Sequence, residues 1–141
     1  MVVHLIKLSV GSTSIGDLKR WQATLLTRNK GTARDGLAHH VTRMMPRRAE
    51  ELTEGGSIYW VIAGSIQARQ RIVGVEEAAT NKGKQCRLLL DPELIAVRPA
   101  ARGPFQGWRY LEVKDAPPDL DESDGADDLP IRAELAELGL L

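Results

Sequence analysis

Ser57-Ile58-Tyr59-Trp60-Val61-Ile62-Ala63, then Gly64-Ser65, then Ile66-Gln67-Ala68-Arg69-Gln70-Arg71-Ile72-Val73-Gly74-Val75, is the stretch that decides how this chain folds. Its first seven residues form the most apolar region of the sequence and read as a strand. Gly64-Ser65 supplies a two-residue turn, with glycine at the position that type II′ requires. Ile66 to Val75 is then the returning strand of a β-hairpin. Strict alternation puts Gln67, Arg69 and Arg71 on one face and Ile66, Ala68 and Ile72 on the other. The hairpin therefore has an apolar side and a guanidinium side.

Upstream, Val2 to Ser9 reads as a first strand and Gly11-Ser12-Thr13 as a turn. Ser14 is placed as an N-cap, with Asp17 in the capping-box position. A helix from Ile15 to about Thr27 would align Leu18, Trp21 and Leu25 as a core-facing stripe. Asn29 to Gly36 is a polar loop bracketed by glycine, and Leu37 to Met44 a second strand. Pro46 suits the first turn of a helix that runs through Arg47 to Thr53 and stops at Gly55-Gly56.

Downstream, Glu76 to Lys84 reads as a charged excursion and Gln85 to Leu90 as a strand. Leu94 to Val97 is extended, Arg98 to Gly103 a loop, and Gly107 to Val113 a last strand. The fold class implied is α+β: a small, mainly antiparallel β-barrel with two or three short helices. Three segments follow from composition: a basic domain over 1–114, an acidic linker over 115–128 and a short C-terminal helix over 129–141. That helix aligns Ile131, Leu135 and Leu138 and must dock to persist.

Of the 141 residues, 43% are apolar and 27% charged. These values exclude wholesale disorder, a collagen-like chain and a coiled coil. No run of apolar residues is long enough to span a membrane. The opening Met1 to Lys7 lacks the features of a signal peptide, and the single cysteine, Cys86, fits a reducing cytoplasm. The net charge of zero conceals a polarity. Residues 1–110 carry 17 basic and 9 acidic side chains, a balance of +8, and residues 111–141 carry the opposing −8. A basic body attracts polyanions, of which nucleic acid is the obvious class. The acidic tail either folds back and neutralises the body or keeps it soluble.

Chemistry-bearing motifs are sparse. There is no Cys-x-x-Cys and no His-x-x-x-His, and His39 and His40 point to opposite faces of a strand, so neither a metal nor another cofactor is implied. Gly11 to Gly16 begins like a phosphate loop but places Asp17 where lysine is needed. Cys86 shares a strand face with Leu88 and Leu90, which favours a buried, inert thiol.

Two basic clusters remain. In the first, Arg43, Arg47 and Arg48 crowd a strand-to-helix junction whose free N–H groups would receive an anion; Arg69 and Arg71 follow in the hairpin. In the second, Phe105, Trp108 and Tyr110 lie among Arg98, Arg102 and Arg109, a set able to stack unpaired bases and contact phosphates. With so few aromatics, the core has first claim on Trp108 and Tyr110, as anchors against Tyr59, Trp60 and Trp21, which leaves Phe105 as the exposed ring.

The segments His40 to Arg48, Gly56 to Ile62, Ile66 to Arg71 and Pro104 to Leu111, with the closing Arg132 to Leu140, resemble an uncharacterised bacterial family, domain of unknown function 1489. The resemblance spans nearly the whole chain and implies no activity. Residues 38–113 are also similar in pattern to the PUA-like superfamily, which includes the ASCH and EVE domains. That likeness implies a small barrel, and in many members RNA or modified-base binding between a helix and the barrel mouth.

The function expected is a non-enzymatic, cytoplasmic nucleic-acid-binding module, RNA ahead of DNA. Arg43, Arg47, Arg48, Arg69 and Arg71 are its phosphate contacts, and Phe105 or Trp108 stacks a base. The alternatives are a protein-interaction or assembly domain acting through the C-terminal helix, and an enzyme on a nucleotide or small anion using His39 or His40 as acid or base.

Overall fold

A computed structural model describes residues 2–120. The strands are β1 (His4–Leu8), β2 (Ala38–Thr42), β3 (Ser57–Ile62), β4 (Ser65–Thr80), β5 (Gly83–Leu90), β6 (Ile95–Ala101) and β7 (Trp108–Leu111). Two helices, α1 (Ile15–Asn29) and α2 (Ala49–Thr53), lie between β1 and β3 on either side of β2. The strands form one seven-stranded sheet in the order β2-β5-β4-β3-β1-β7, with β6 joined to β4 off that path. β1 runs parallel to β3, and the other pairings are antiparallel. The one parallel pair joins strands separated in sequence by both helices, as a parallel crossover requires.

All six residues of β3 are buried. Ile58, Trp60 and Ile62 enter one apolar cluster with Val3, Leu5, Leu18, Leu52, Ile72, Leu88 and Leu90. Tyr59 and Val61 enter a second with Ile6, Ile66, Val97 and Leu111. Successive side chains of a strand point to opposite faces, so a strand apolar at both parities must be covered on both.

The α+β class and the mainly antiparallel sheet agree with the sequence. The closed barrel does not form: the strand path is open, with β2 and β7 at its ends. Central β4 pairs with β3 and β6 through its first half and with β5 from Ile72 onward, around an irregularity between Ile72 and Gly74. The two halves share this one strand.

Several local expectations change with tertiary context. The β3–β4 turn is Ala63-Gly64, one residue earlier than Gly64-Ser65, because Ile62 pairs with Ser65 and both turn residues have positive φ (51° and 83°). That is the double-positive geometry of a type I′ turn, which matches strand twist. The charged excursion 76–84 is the rest of a long hairpin, β4 continuing to Thr80 before Gly83 opens β5. The loop expected at 98–103 lies largely in β6. Pro46 precedes α2, whose N-cap is Arg48.

Along α1 the inward stripe is Leu18, Gln22, Leu25 and Asn29, and Trp21 stands 51% exposed. Ser14 caps α1 as expected, its hydroxyl accepting the Asp17 N–H at 3.1 Å. Asp17 reaches back one residue further, to the Thr13 N–H and hydroxyl (3.0 and 2.7 Å).

Past β7, a 3₁₀ turn (Val113–Asp115) leads the chain back along β6, where Arg98 N–H donates to Pro118 O and Leu120 N–H to Ala96 O. The helix expected over 129–141 lies outside the described residues. No described helix is long and apolar enough to cross a membrane.

Gly56 sits where α2 ends against the start of β1. A Cβ there would lie 2.3 Å from Val3 O and 2.5 Å from Leu52 O, both backbone atoms. Gly56→Ala should therefore destabilise the fold by about 2–3 kcal/mol, the cost of forcing atoms into a packed core. Urea denaturation checks this; an unchanged midpoint would contradict the packing described.

Candidate functional site: a tryptophan-lined cleft

The register across β3, β1 and β7 sets three side chains in a row. Lys7 pairs with Trp60 on one side and with Trp108 on the other. Alternation along β1 puts Lys7 on the face of Val3 and Leu5, and its side chain is part-buried. Burial pushes the Lys7 pKa below its ordinary value.

This row forms one wall of a cleft of about 950 Å³. α1 contributes Asp17, Trp21 and Gln22, and β2 with the turn after it contributes His39, His40, Thr42, Arg43 and Met44. Gln85 and Gln106 complete the polar lining. All three tryptophans of the chain line this one cavity.

Each tryptophan is held differently. Trp60 is the floor, buried, its Nε1–H donating to Gln70 Oε1 at 3.1 Å. Trp108 is part-buried; its Nε1–H donates to Met44 O at 3.0 Å, and it packs edge-on against Tyr110 with ring centroids 5.0 Å apart. Trp21 is the free ring at the mouth, with the Arg28 guanidinium 5.8 Å from its centroid. Trp60 is enclosed by the core and Trp108 is fixed and part-buried, so Trp21 is the ring with the most surface to offer a flat aromatic ligand.

The polar groups are strongly desolvated. His40 lies edge-on to Trp60 at 5.3 Å, and its buried Nε2 has no partner among the described residues. Burial, with Lys7 and His39 adding to it, lowers its pKa to about 4. His39 is also lowered, first by burial and then by Arg87, Arg34 and Arg28. Both rings are neutral near pH 7 and offer one donor and one acceptor each. Asp17 brings a carboxylate to the mouth, but Thr13 and Arg20 hold it, which pulls its pKa down to about 2. Lys7 and Arg43 thus supply the cleft's cationic charge, and neither forms an ion pair with a carboxylate among the described residues.

Of the residues selected from sequence, Arg43 and Trp108 reach the cleft and the other five do not. The Arg48 guanidinium is clasped by Glu51 (2.7 and 2.9 Å) and Glu112 (3.1 Å). Its backbone N–H, expected to receive an anion, donates to the Tyr110 hydroxyl at 3.0 Å. Arg69 makes a two-point contact with Asp119 (2.6 and 2.8 Å) and donates to Ser57 Oγ at 2.9 Å. Arg47 and Arg71 are exposed. Phe105 packs against the second apolar cluster beneath Arg102 and Arg109.

Sequence reasoning missed Lys7, and a signal was available: a single lysine on the inward parity of an otherwise apolar strand. Cys86 is buried, with its thiol pushed up to about 11. Among the described residues no group of three or more His, Cys, Asp or Glu is placed to hold a metal ion.

The family model described as "Protein of unknown function (DUF1489)" matches residues 5–141. No curated protein and no solved structure matches the chain.

His40 should dominate the acid sensitivity of the fold. Its unfolded pKa is near 6.5 and its folded value about 4, so between them the unfolded chain binds the extra proton. Stability must then fall as pH drops through this window, by up to about 1.4 kcal/mol per unit for one proton. His40→Gln should flatten that part of the slope, read from denaturation midpoints at several pH values. Parallel losses in both proteins would refute it.

Proposed function

The chain belongs to the DUF1489 family, whose members have no known function, and from its own residues we propose that it is a non-enzymatic, single-stranded nucleic-acid-binding module, RNA ahead of DNA, acting in the cytoplasm. The observation that carries this reading is one cavity lined by Trp21, Trp60 and Trp108, with Lys7 paired between the last two. An unpaired base presents two flat faces and an edge of donors and acceptors, with a phosphate at either side. Tryptophan faces stack it regardless of sequence, and Lys7 and Arg43 meet the phosphate charge. Gln22, Gln85 and the neutral imidazoles supply partners for the base edge. The volume is at the upper end for a small-ligand site and accommodates a nucleotide.

The resemblance of residues 38–113 to the PUA-like superfamily also implies RNA binding, but the open strand path lends that resemblance no support. Residues 121–141 carry Arg132 against seven acids, and in this reading they act as a tethered competitor for the cationic cleft.

A second reading, a protein-interaction domain, rests on the cleft rim, where Val10 is 89% and Met44 66% exposed. Exposed apolar side chains grouped at a cavity mark contact surfaces. A protein that elutes as a monomer and binds oligonucleotide argues against it.

Trp21→Ala should weaken binding of a short single-stranded RNA by roughly tenfold or more, the scale of one lost base stack. Thermal stability should stay nearly unchanged, because the ring is half in solvent. Fluorescence anisotropy with a labelled oligonucleotide measures the first effect. Equal affinity in the two proteins would remove the cleft from nucleic-acid binding. Truncation after Leu120 should tighten the same binding and steepen its salt dependence; identical titrations would exclude the tail from the mechanism.

A further inference from the structure

Arginines do converge in this molecule, at a place the sequence did not single out. Pairing across β2, β5 and β4 sets Val41 opposite Arg87 and Arg87 opposite Glu76. His39, two residues before Val41, shares their face. Arg34 comes in from the loop after α1, its position fixed where Arg34 N–H donates to Thr32 Oγ1 (3.1 Å) and Leu37 N–H to Arg34 O (3.0 Å).

Both guanidiniums address the same oxygen. Arg87 Nη1 lies 2.9 Å and Arg34 Nη1 4.0 Å from Glu76 Oε1. The Nε atoms of Arg34 and Arg87 are buried and have no hydrogen-bond partner among the described residues. One carboxylate therefore faces two cations that retain unused donors. The side chains are only 28% and 22% exposed, so water screens the excess positive charge poorly. His39 has its pKa lowered, first by burial and then by Arg87, Arg34 and Arg28, and Glu76 opposes them. Its Nδ1 lies 2.9 Å from the Asn29 amide nitrogen and accepts from it, which leaves the proton on Nε2 of the neutral ring. His39 also lines the tryptophan cleft, so the two sites are contiguous.

We propose that Arg34 and Arg87, with His39 between them and the cleft, form a phosphate subsite for the backbone of the strand whose base occupies the cleft. The identity of the anion as a phosphodiester rests on the nucleic-acid reading above; the anion site itself does not. Guanidinium forks match phosphate oxygens in geometry as well as charge, and Glu76 is the internal competitor for them.

The test uses the full chain, a short single-stranded RNA and inorganic phosphate as probes, and the variants Arg34→Gln and Glu76→Gln. Arg34→Gln should weaken RNA binding about five- to tenfold and make the log–log salt slope shallower by about 0.7, the value for one single-strand phosphate contact. Glu76→Gln should tighten binding, because the internal anion is gone. If Trp21→Ala weakens RNA binding while both of these variants match the wild type in affinity and slope, the subsite falls and the cleft stands. If the wild type binds no RNA, the cleft reading falls and inorganic phosphate decides the subsite. A rise in thermal midpoint over chloride at equal ionic strength, lost in Arg34→Gln, supports it; no rise overturns it.

Discussion

A buried amide governs how this fold presents its cleft. Gln70 on β4 is fully enclosed, and a buried amide must find internal partners or cost several kcal/mol. It accepts from Trp60 Nε1 and donates to Gln22 Oε1 (3.0 Å) and Asp91 O (2.9 Å). Those bonds tie the sheet, α1 and the end of β5 to one point. They also rotate α1: Gln22 must face inward to reach Gln70, and its neighbour Trp21 is thereby turned toward the cleft mouth. Asn29 repeats the arrangement about two turns further on, donating to Leu37 O at 2.9 Å and meeting His39. A helix whose apolar pattern suggests Leu18, Trp21 and Leu25 as the stripe instead buries two amides.

The cleft is a consequence of how β4 is shared. Its first half belongs with β3 and β6, its second with β5. β2 is bound to the sheet only through β5, and β1 and β7 only through β3. β2, not laddered to β1 or β7, meets the row Trp60–Lys7–Trp108 through its side chains, His40 lying edge-on to Trp60 at 5.3 Å, and α1 lines the same cavity. A desolvated lysine between two indoles, without a carboxylate of its own, costs stability in isolation. Such an expense is ordinarily retained where a ligand supplies the missing negative charge.

Folding gives some of the basic side chains among the described residues an acid of their own. Arg48 and Arg69 each acquired a carboxylate from a distant segment, Glu112 and Asp119 respectively. Both acids come from the region past Tyr110 that composition marks as acidic. Part of the sequence-level polarity is thus resolved by folding, and Lys7, Arg43 and the Arg34–Arg87 pair are among the cations left in excess of nearby acids. The basic character of the body was legible from counting; which arginines stayed available was not, because Glu112 and Asp119, the acids that take up Arg48 and Arg69, lie 64 and 50 positions away in the chain.

Local sequence determined the elements: the β3–β4 hairpin, the Ser14 cap, the helix stop at Gly55-Gly56 and the apolar parity of β1 all follow from dihedral preference and period. It also determined that β3 would be covered twice, since both parities of its side chains are apolar. Only tertiary structure decided which face of α1 turns inward, where the turn after Ile62 falls, and that the sheet stays open. Each of these depends on a partner remote in sequence (Gln70 for Gln22, Ser65 for Ile62, β5 for β2). Periodicity reports what a residue prefers to bury, whereas hydrogen-bond demand inside the core decides which buried group meets which.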